Sequence, residues 1–453
     1  MKTIIYNGTI VTNGESFLGS IIIDNSIIIE IIKNDVDIDK YKDKYNVIDA
    51  CGMYVLPGII DDQVHFREPG STHKGDIESE SAAAVLGGVT SFMDMPNNNP
   101  PATTLDAIER KFNIAANTSY ANYSFYIGAT NDNIEQIIDA NNSDVCGVKV
   151  FMGSSTGNML VDNNQTLDAI FKNSKKLIAT HCESEEIINK NLQLILEKYS
   201  KEGKTTNDIP FSTHPIIRDR ESCIESSKKA IEFAKKHNSR LHILHISTKE
   251  EIELIAREKE YLPNLTAEAC VHFLYFNSND YHKYGSKIKC NPAIKEQTDS
   301  SAILQGINDN TIDIIATDHA PHTIEEKNKP YLEAPSGLPL VQHSLIMMFE
   351  LFKKGEISIE NIVQKMCHAP AEVFKIEKRG YLKEGYFADI TIIDPNKKQV
   401  ISKDNLKYRC NWSPLEGYSF SSSVVHTIIN GTHIVENGQL TGKKCVQKLS
   451  FSK

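Results

Sequence analysis

The middle of the chain alternates short apolar runs with amphipathic stretches, a pattern typical of a parallel β-sheet covered by helices. Eight apolar runs are predicted strands: Val55–Val64, Thr90–Met95, Tyr123–Ala129, Gly147–Phe151, Leu177–His181, Leu241–Ile246, Leu265–Ala269 and Ile312–Thr317. Helices are predicted between them, for example over Ile77–Leu86, Leu105–Ala116 and Cys223–Lys236. Eight strands that alternate with helices predict an α/β fold, a (β/α)8 barrel of the TIM type.

The two ends of the chain carry a different pattern, in which short β-rich runs are separated by turn sequences such as Asn13-Gly14 and Asn430-Gly431. The two ends have the same kind of pattern. We therefore expect both ends to combine into one small β-sandwich domain. The predicted bounds are 1–54 and 385–453 for this domain and 55–384 for the barrel.

Composition narrows the range of partners. A chain of 453 residues with 40% hydrophobic residues is long enough for two domains. Its net charge of −10 disfavours a nucleic-acid partner, and no apolar run reaches the roughly 18 residues of a membrane span. Nine cysteines without a C-x-x-C pair are typical of a reduced, cytoplasmic protein. We therefore expect a small-molecule ligand.

Polar side chains directly follow several of the predicted strands. In a (β/α)8 barrel the carboxyl ends of the strands converge on one mouth, where active sites are built. Histidines and a carboxylate at such positions are typical ligands of zinc or a similar divalent metal. The candidates at these strand ends are Gln63, His65, Arg67, Lys149, His181, His245, Asp318, His319 and His322.

Each of these residues alone also fits a plainer interpretation. A single histidine after a strand is often only packed or hydrogen-bonded, and His242 fits such a core role. Arg67 could pair with Glu68. Lys149, if protonated, has no lone pair for a metal and could extend to solvent. A lysine carboxylated by carbon dioxide, however, would bridge two metals about 3.5–4 Å apart.

The sequence resembles the cyclic amidohydrolases, and most closely the class I dihydroorotases. The resemblance covers nearly the whole chain and rests on segments that follow one another in family order. They are PGIIDDQVHFREPG, MDMPNNNPP, GVKVFMGSSTG, HCES, LHILHIS, CNPAIK, ATDHAPH and INGTHIVENG. It implies a metal-dependent hydrolase, active as a homodimer, that interconverts L-dihydroorotate and N-carbamoyl-L-aspartate in pyrimidine synthesis.

The same resemblance implies roles for individual residues. His65 and Asp318 would bind one zinc ion, His181 and His245 a second, and Lys149 would bridge them as a carbamate. Asp318 would also act as the catalytic acid and base. The implied substrate-binding residues are His65, Arg67, Asn97, Asn291, His322 and Gly337.

Three positions depart from the family pattern. Gln63 replaces a histidine, and a neutral amide is a poorer zinc ligand, so the first metal could be weakly held. Ser336 replaces a larger residue, and Lys295 replaces an arginine. Two alternative functions stay open: a hydantoinase, dihydropyrimidinase or allantoinase, and a catalytically silent dihydroorotase-like partner of aspartate transcarbamoylase.

Overall fold

The structure, a computed structural model, describes residues 2–34, 36–153 and 159–452. The last four residues of the GVKVFMGSSTG motif, 154–157, lie outside the described residues. The chain begins with five strands: β1 (Lys2–Thr12), β2 (Glu15–Asp24), β3 (Ile27–Lys33), β4 (Tyr45–Asp49) and β5 (Tyr54–Pro57). The strands β1, β2 and β3 pair antiparallel through tight turns, because Asn13 and Asn25 adopt the left-handed conformation that such turns require.

Eight consecutive parallel strands follow: β6 (Ile59–Val64), β7 (Val89–Asp94), β8 (Asn122–Gly128), β9 (Gly147–Phe151), β10 (Leu177–His181), β11 (Leu241–Ile243), β12 (Leu265–Cys270) and β13 (Ile314–Ala316). They pair in sequence order from β6 to β13. The sheet closes where Val64 bridges His319, and the His65 N–H donates to the His319 carbonyl at 2.7 Å. The predicted (β/α)8 barrel is confirmed.

The helices lie between the barrel strands and after them. They are α1 (Ile77–Leu86), α2 (Leu105–Thr118), α3 (Ile134–Ala140), α4 (Asn164–Asn173), α5 (Glu185–Lys201), α6 (His214–Ile217), α7 (Arg220–His237), α8 (Lys249–Lys259), α9 (Tyr281–Tyr284), α10 (Gln297–Asn308), α11 (Ile324–Lys327), α12 (Ser344–Lys353), α13 (Ile359–Val363) and α14 (Ala369–Val373). Side-chain caps from Asp76, Thr104, Asp219 and Thr248 accept backbone N–H groups at the starts of α1, α2, α7 and α8. None of the described helices combines the length and apolarity that a membrane crossing needs.

The last strands return to the first ones. They are β14 (Ile390–Asp394), β15 (Gln399–Val400), β16 (Ser419–Phe420), β17 (Ser423–Ile429), β18 (Thr432–Glu436) and β19 (Gln439–Leu440). Strand β14 pairs antiparallel with β5, so both ends form one nine-stranded sheet in the order β19-β18-β17-β14-β5-β1-β2-β3, with β4 beside β1. The predicted union of the termini is confirmed. The domain bounds 1–54, 55–384 and 385–453 stay a prediction.

The predicted strand Val55–Val64 is two strands in the structure. Its first part, β5, belongs to the terminal sheet, and its second part, β6, belongs to the barrel. The break falls at Gly58, where a Cβ atom would lie 2.0 Å from the Thr90 hydroxyl oxygen. Only glycine lets the backbone pass this close to β7. An apolar run cannot reveal such a change of sheet, because both parts are buried.

Candidate active site

The carboxyl ends of the barrel strands surround a cavity of about 620 Å³. All ten residues that the sequence indicates for metal or substrate line it: His65, Arg67, Asn97, Lys149, His181, His245, Asn291, Asp318, His322 and Gly337. Gln63 lines the cavity as well. These residues come from widely separated segments, and the barrel brings them together because its parallel strands end at one mouth.

His181 and His245 meet at one side of the cavity. The His181 Nε2–H donates to the Glu183 carboxylate at 2.8 Å, so Nδ1 carries the lone pair and faces His245 Nε2 at 2.9 Å. Burial lowers the pKa of both histidines, which keeps them neutral. Neutral imidazole is the form that binds a metal. The two neutral imidazoles are therefore suitable ligand types for zinc, and Glu183 orients His181 in the way that carboxylates orient metal-binding histidines.

His65 lies between two oxygen acceptors on the opposite side. Its Nδ1 donates to Asn97 Oδ1 at 2.7 Å, and its Nε2 lies 3.0 Å from Asp318 Oδ1. Burial alone would raise the pKa of Asp318, but the hydrogen bond and charge of His65 lower it overall. Asp318 is therefore a carboxylate at neutral pH. An imidazole nitrogen and a carboxylate oxygen are both ligand types for a divalent ion, and their separation here is that of a hydrogen bond.

Gln63 occupies the departing position of the motif and also reaches Asp318. Its Nε2 donates to Asp318 Oδ1 at 3.1 Å, while its Oε1 faces the Cys270 thiol at 3.9 Å. Gln63 thus turns its amide nitrogen toward Asp318, and this N–H2 group has no lone pair for a metal. In this arrangement Gln63 is a hydrogen-bond donor to Asp318.

Lys149 is 1% exposed in the middle of β9, with its Nζ 4.6 Å from the centre of the Phe151 ring. Burial lowers the pKa of Lys149 to about 8. The lowered pKa increases the share of the neutral amine, which is the nucleophilic form. The alternative in which Lys149 extends to solvent is wrong, because the side chain points into the cavity wall.

Arg67 projects into the cavity from the loop after β6. Its Nε donates to the Pro321 carbonyl at 3.0 Å, and its Nη2 lies 3.0 Å from His322 Nε2. Nη1 has no hydrogen-bond partner within residues 2–34, 36–153 and 159–452, so its N–H groups are available to a ligand. The alternative pairing with Glu68 is wrong, since the Glu68 carboxylate accepts the backbone N–H of Ile77 instead.

The loop around Gly337 forms another part of the cavity wall, and the Ser336 carbonyl lies 3.0 Å from His322 Nε2. Gly337 has φ +142°, and a Cβ atom there would lie 2.4 Å from the Ala320 carbonyl oxygen. The Ser336 hydroxyl donates to Asn291 Oδ1 at 3.0 Å, which holds the Asn291 amide toward the cavity. The departure at Ser336 therefore contributes a hydrogen bond where a larger residue would fill space.

Sequence reasoning missed several supporting residues. Arg218 lines the cavity and donates to Glu183 Oε2 at 2.5 Å, which completes a chain from Arg218 through Glu183 to His181. Lys74 also lines the cavity, with its Nζ 3.2 Å from His322 Nδ1. The only signal for Glu183 was its position two residues after His181. Lys295 is buried and does not line the cavity; its Nζ donates to Ser247 Oγ at 3.0 Å, and its charge helps to lower the pKa of Glu183.

Three of the cavity residues have strained backbones. Arg67, His245 and Asp318 adopt φ values of +68°, +42° and +47°. Residues other than glycine rarely adopt this left-handed backbone conformation, and those that do cluster at functional sites. The strain places these three side chains at the mouth rather than along the regular pleat of their strands.

Comparison with known proteins identifies the family of this chain. The amidohydrolase family model matches residues 54–434, which is most of the chain. A dihydroorotase from Methanosphaera stadtmanae is 32% identical over 424 residues, covering 93% of this chain and 94% of its own. A dihydroorotase from Lactobacillus gasseri is 30% identical over 446 residues, covering 97% of this chain and all of its own.

Solved structures show the same fold. The L-hydantoinase (dihydropyrimidinase) of Arthrobacter aurescens superposes with a TM-score of 0.91 at 24% identity, covering 99% of both chains. The dihydropyrimidinase of Brevibacillus agri gives a TM-score of 0.90 at 23% identity over the full length of both chains. The match of the family model and the identity to relatives of equal length lead to one conclusion: this chain belongs to the amidohydrolase family.

Proposed function

We propose that this chain is a dihydroorotase, which interconverts N-carbamoyl-L-aspartate and L-dihydroorotate. The observation that carries the proposal is the position of Arg67, which lines the same cavity as the candidate metal ligands and whose Nη1 has no hydrogen-bond partner among the described residues. A guanidinium binds a carboxylate through two parallel hydrogen bonds. Dihydroorotate carries such a carboxylate, whereas hydantoin and dihydrouracil do not. The relatives at 30–32% identity bear the name dihydroorotase, which supports the assignment.

The residues of the cavity fit one or two zinc ions. His181 and His245 would hold one ion, His65 and Asp318 the other, and carboxylated Lys149 would lie between them. Bound zinc would supply a water molecule with a pKa near 7 and positive charge beside the attacked carbonyl. Carboxylation forms a bond between the Lys149 nitrogen and the carbon of carbon dioxide, with loss of one proton to solvent. The lowered pKa of Lys149 favours this step.

The protein side chains would bind the substrate and transfer the proton. Arg67, Asn97 and Asn291 would bind the substrate carboxylate, and His322 and the backbone at Gly337 would position the ring. Asp318 is a carboxylate within the cavity, so it can accept a proton from the attacking water. It would then return that proton to the leaving ring nitrogen. Gln63 donates to the same carboxylate oxygen and would hold its orientation.

The proposal is tested with purified full-length protein supplied with zinc and bicarbonate. L-dihydroorotate should be hydrolysed, and N-carbamoyl-L-aspartate should be cyclised at lower pH. The same preparation should be tested on hydantoin and dihydrouracil. Turnover of either neutral ring without turnover of dihydroorotate would reject the proposal.

The hydantoinase alternative has its own support, because the solved structures with TM-scores of 0.91 and 0.90 are a hydantoinase and a dihydropyrimidinase. Those likenesses, at 23–24% identity, concern the fold. The silent-partner alternative rests on Gln63. This alternative predicts a protein with no metal in the cavity and no turnover. Metal analysis of the active-site cavity, together with the same assay, therefore distinguishes a silent partner from a dihydroorotase.

A further inference from the structure

Beneath the candidate active site, three ionisable side chains converge inside the barrel. Asp62 on β6, His242 on β11 and Glu268 on β12 are each 0% exposed. Asp62 and His242 each lie three residues before a candidate ligand of the mouth, His65 and His245. None of the three is among the residues that line the active-site cavity, so this cluster forms a separate layer inside the barrel.

The spacing of the three side chains is that of metal ligands. His242 Nε2 lies 3.3 Å from Asp62 Oδ2 and 3.4 Å from Glu268 Oε2. One ligand atom from each residue lies within 4.8 Å of the other two. Ligands that bind zinc at about 2.0–2.2 Å in a tetrahedron are separated by about 3.3–3.6 Å. Both measured separations therefore leave room for an ion at the centre.

The hydrogen bonds around His242 define which nitrogen faces the carboxylates. The Thr266 hydroxyl donates to the Leu241 carbonyl at 3.3 Å, so it can only accept from His242 Nδ1, which lies 2.8 Å away. A neutral His242 therefore carries its proton on Nδ1 and turns the lone pair of Nε2 toward Asp62 and Glu268. Two carboxylates facing a lone pair need a cation between them, either a proton or a metal ion.

Asp62 favours the metal. Neither carboxylate oxygen of Asp62 has a hydrogen-bond partner in the part of the chain that the structure describes, although both are buried. A buried carboxylate without partners is costly. A divalent ion bound by both carboxylates and a neutral His242 would leave the cluster without net charge. The free Asp62 Oδ1 also offers a fourth ligand atom.

We propose that Asp62, His242 and Glu268 form an interior divalent-cation site of the zinc type, separate from the cavity at the mouth. Its function is positional. Glu268 Oε1 accepts the backbone N–H of His245 at 3.1 Å. An ion bound by Glu268 Oε2 therefore fixes the strand end at which His245 adopts its left-handed conformation. This inference stands whatever cyclic substrate the mouth accepts.

The direct test uses the wild-type chain, purified from zinc-supplemented medium and crystallised. Anomalous diffraction collected on both sides of the zinc absorption edge should show a peak about 2.0–2.2 Å from Nε2 of His242 and from the two carboxylates. Crystals with a zinc peak at the mouth but none at the interior cluster would overturn the proposal. In that case the cation between the two carboxylates would be the proton of His242. Asp62 and Glu268 raise the pKa of His242 to about 9, although burial alone lowers it.

Variants give an independent measurement in solution. Asp62→Asn keeps the shape of the side chain and should remove one equivalent of bound zinc per chain, as measured by mass spectrometry of the metal. Glu268→Gln serves the same purpose if Asp62→Asn does not fold. The matched control, His181→Asn, removes a ligand of the mouth and should leave the interior equivalent bound. Equal zinc content in Asp62→Asn, Glu268→Gln and wild type would also reject the site.

Discussion

Replacing Arg67 with methionine should remove the recognition of the substrate carboxylate. Methionine has a similar length and is also a non-glycine residue, so the cost of φ +68° is unchanged. The substitution deletes the Nη1 and Nη2 donors of this cavity-lining residue, as well as the contact of Nε with the Pro321 carbonyl. Pro321 can exchange this contact for water, because the cavity opens to solvent.

The magnitude follows from the hydrogen bonds that are lost. A guanidinium and a carboxylate form two charge-assisted hydrogen bonds, each of which contributes about 1.5–3 kcal/mol. The loss of about 3–6 kcal/mol of transition-state stabilisation corresponds to a fall of about 10²–10⁴-fold in kcat/KM. Arg67→Lys retains the charge without the planar fork, so its loss should be smaller.

The assay is steady-state hydrolysis of L-dihydroorotate, with zinc content and thermal unfolding measured on the same samples. Arg110→Met is the matched control, because Arg110 is exposed on α2 and far from the mouth. It should leave kcat/KM unchanged. A fall of less than tenfold for Arg67→Met, with wild-type zinc content, would refute the reasoning. So would an equal proportional fall on dihydrouracil, which lacks the carboxylate.

Three further predictions test other parts of the site. Gln63→His should increase the zinc bound at the mouth by up to one equivalent per chain, since imidazole replaces an N–H2 group; an unchanged zinc peak there would contradict this. Gly337→Ala should reduce kcat/KM and the melting temperature, because its Cβ would lie 2.4 Å from the Ala320 carbonyl oxygen. The control is Gly417→Ala, which has φ +88° but no neighbouring atom of the described residues near its Cβ, and it should affect only stability. Burial alone would raise the pKa of Glu183, but Arg218 and His181 lower it to about 2. In metal-free protein, the Glu183 carboxylate therefore increases the free energy of unfolding above pH 4.5, and this stabilisation is lost as the pH falls toward 2. Urea unfolding should therefore show Glu183→Gln less stable than wild type by roughly 3 kcal/mol at pH 6, with the gap closing near pH 2.

The sequence by itself determined the order of the elements and the chemistry of the mouth. Apolar runs of strand length are a local property, so their alternation with helices identified the barrel before any contact was known. The convergence of strand ends is a consequence of that fold, and it accounts for why His65, His181, His245 and Asp318 meet in one cavity.

Only the tertiary structure decided which atoms of these residues face one another. The predicted strand Leu241–Ile246 ends at Ile243, because His245 leaves the pleat with φ +42°. No local pattern encodes that turn, since it depends on packing against neighbouring strands.

The contacts between distant segments have the same origin. Gln63 turns an N–H group toward Asp318, and Asp62 meets His242 and Glu268 inside the barrel. Hydrophobic periodicity records whether a residue is buried, and it carries no information on the partner across the barrel. The closure of the sheet into a barrel brings residues of distant strands into contact. It therefore determines which charged groups lie next to each buried side chain.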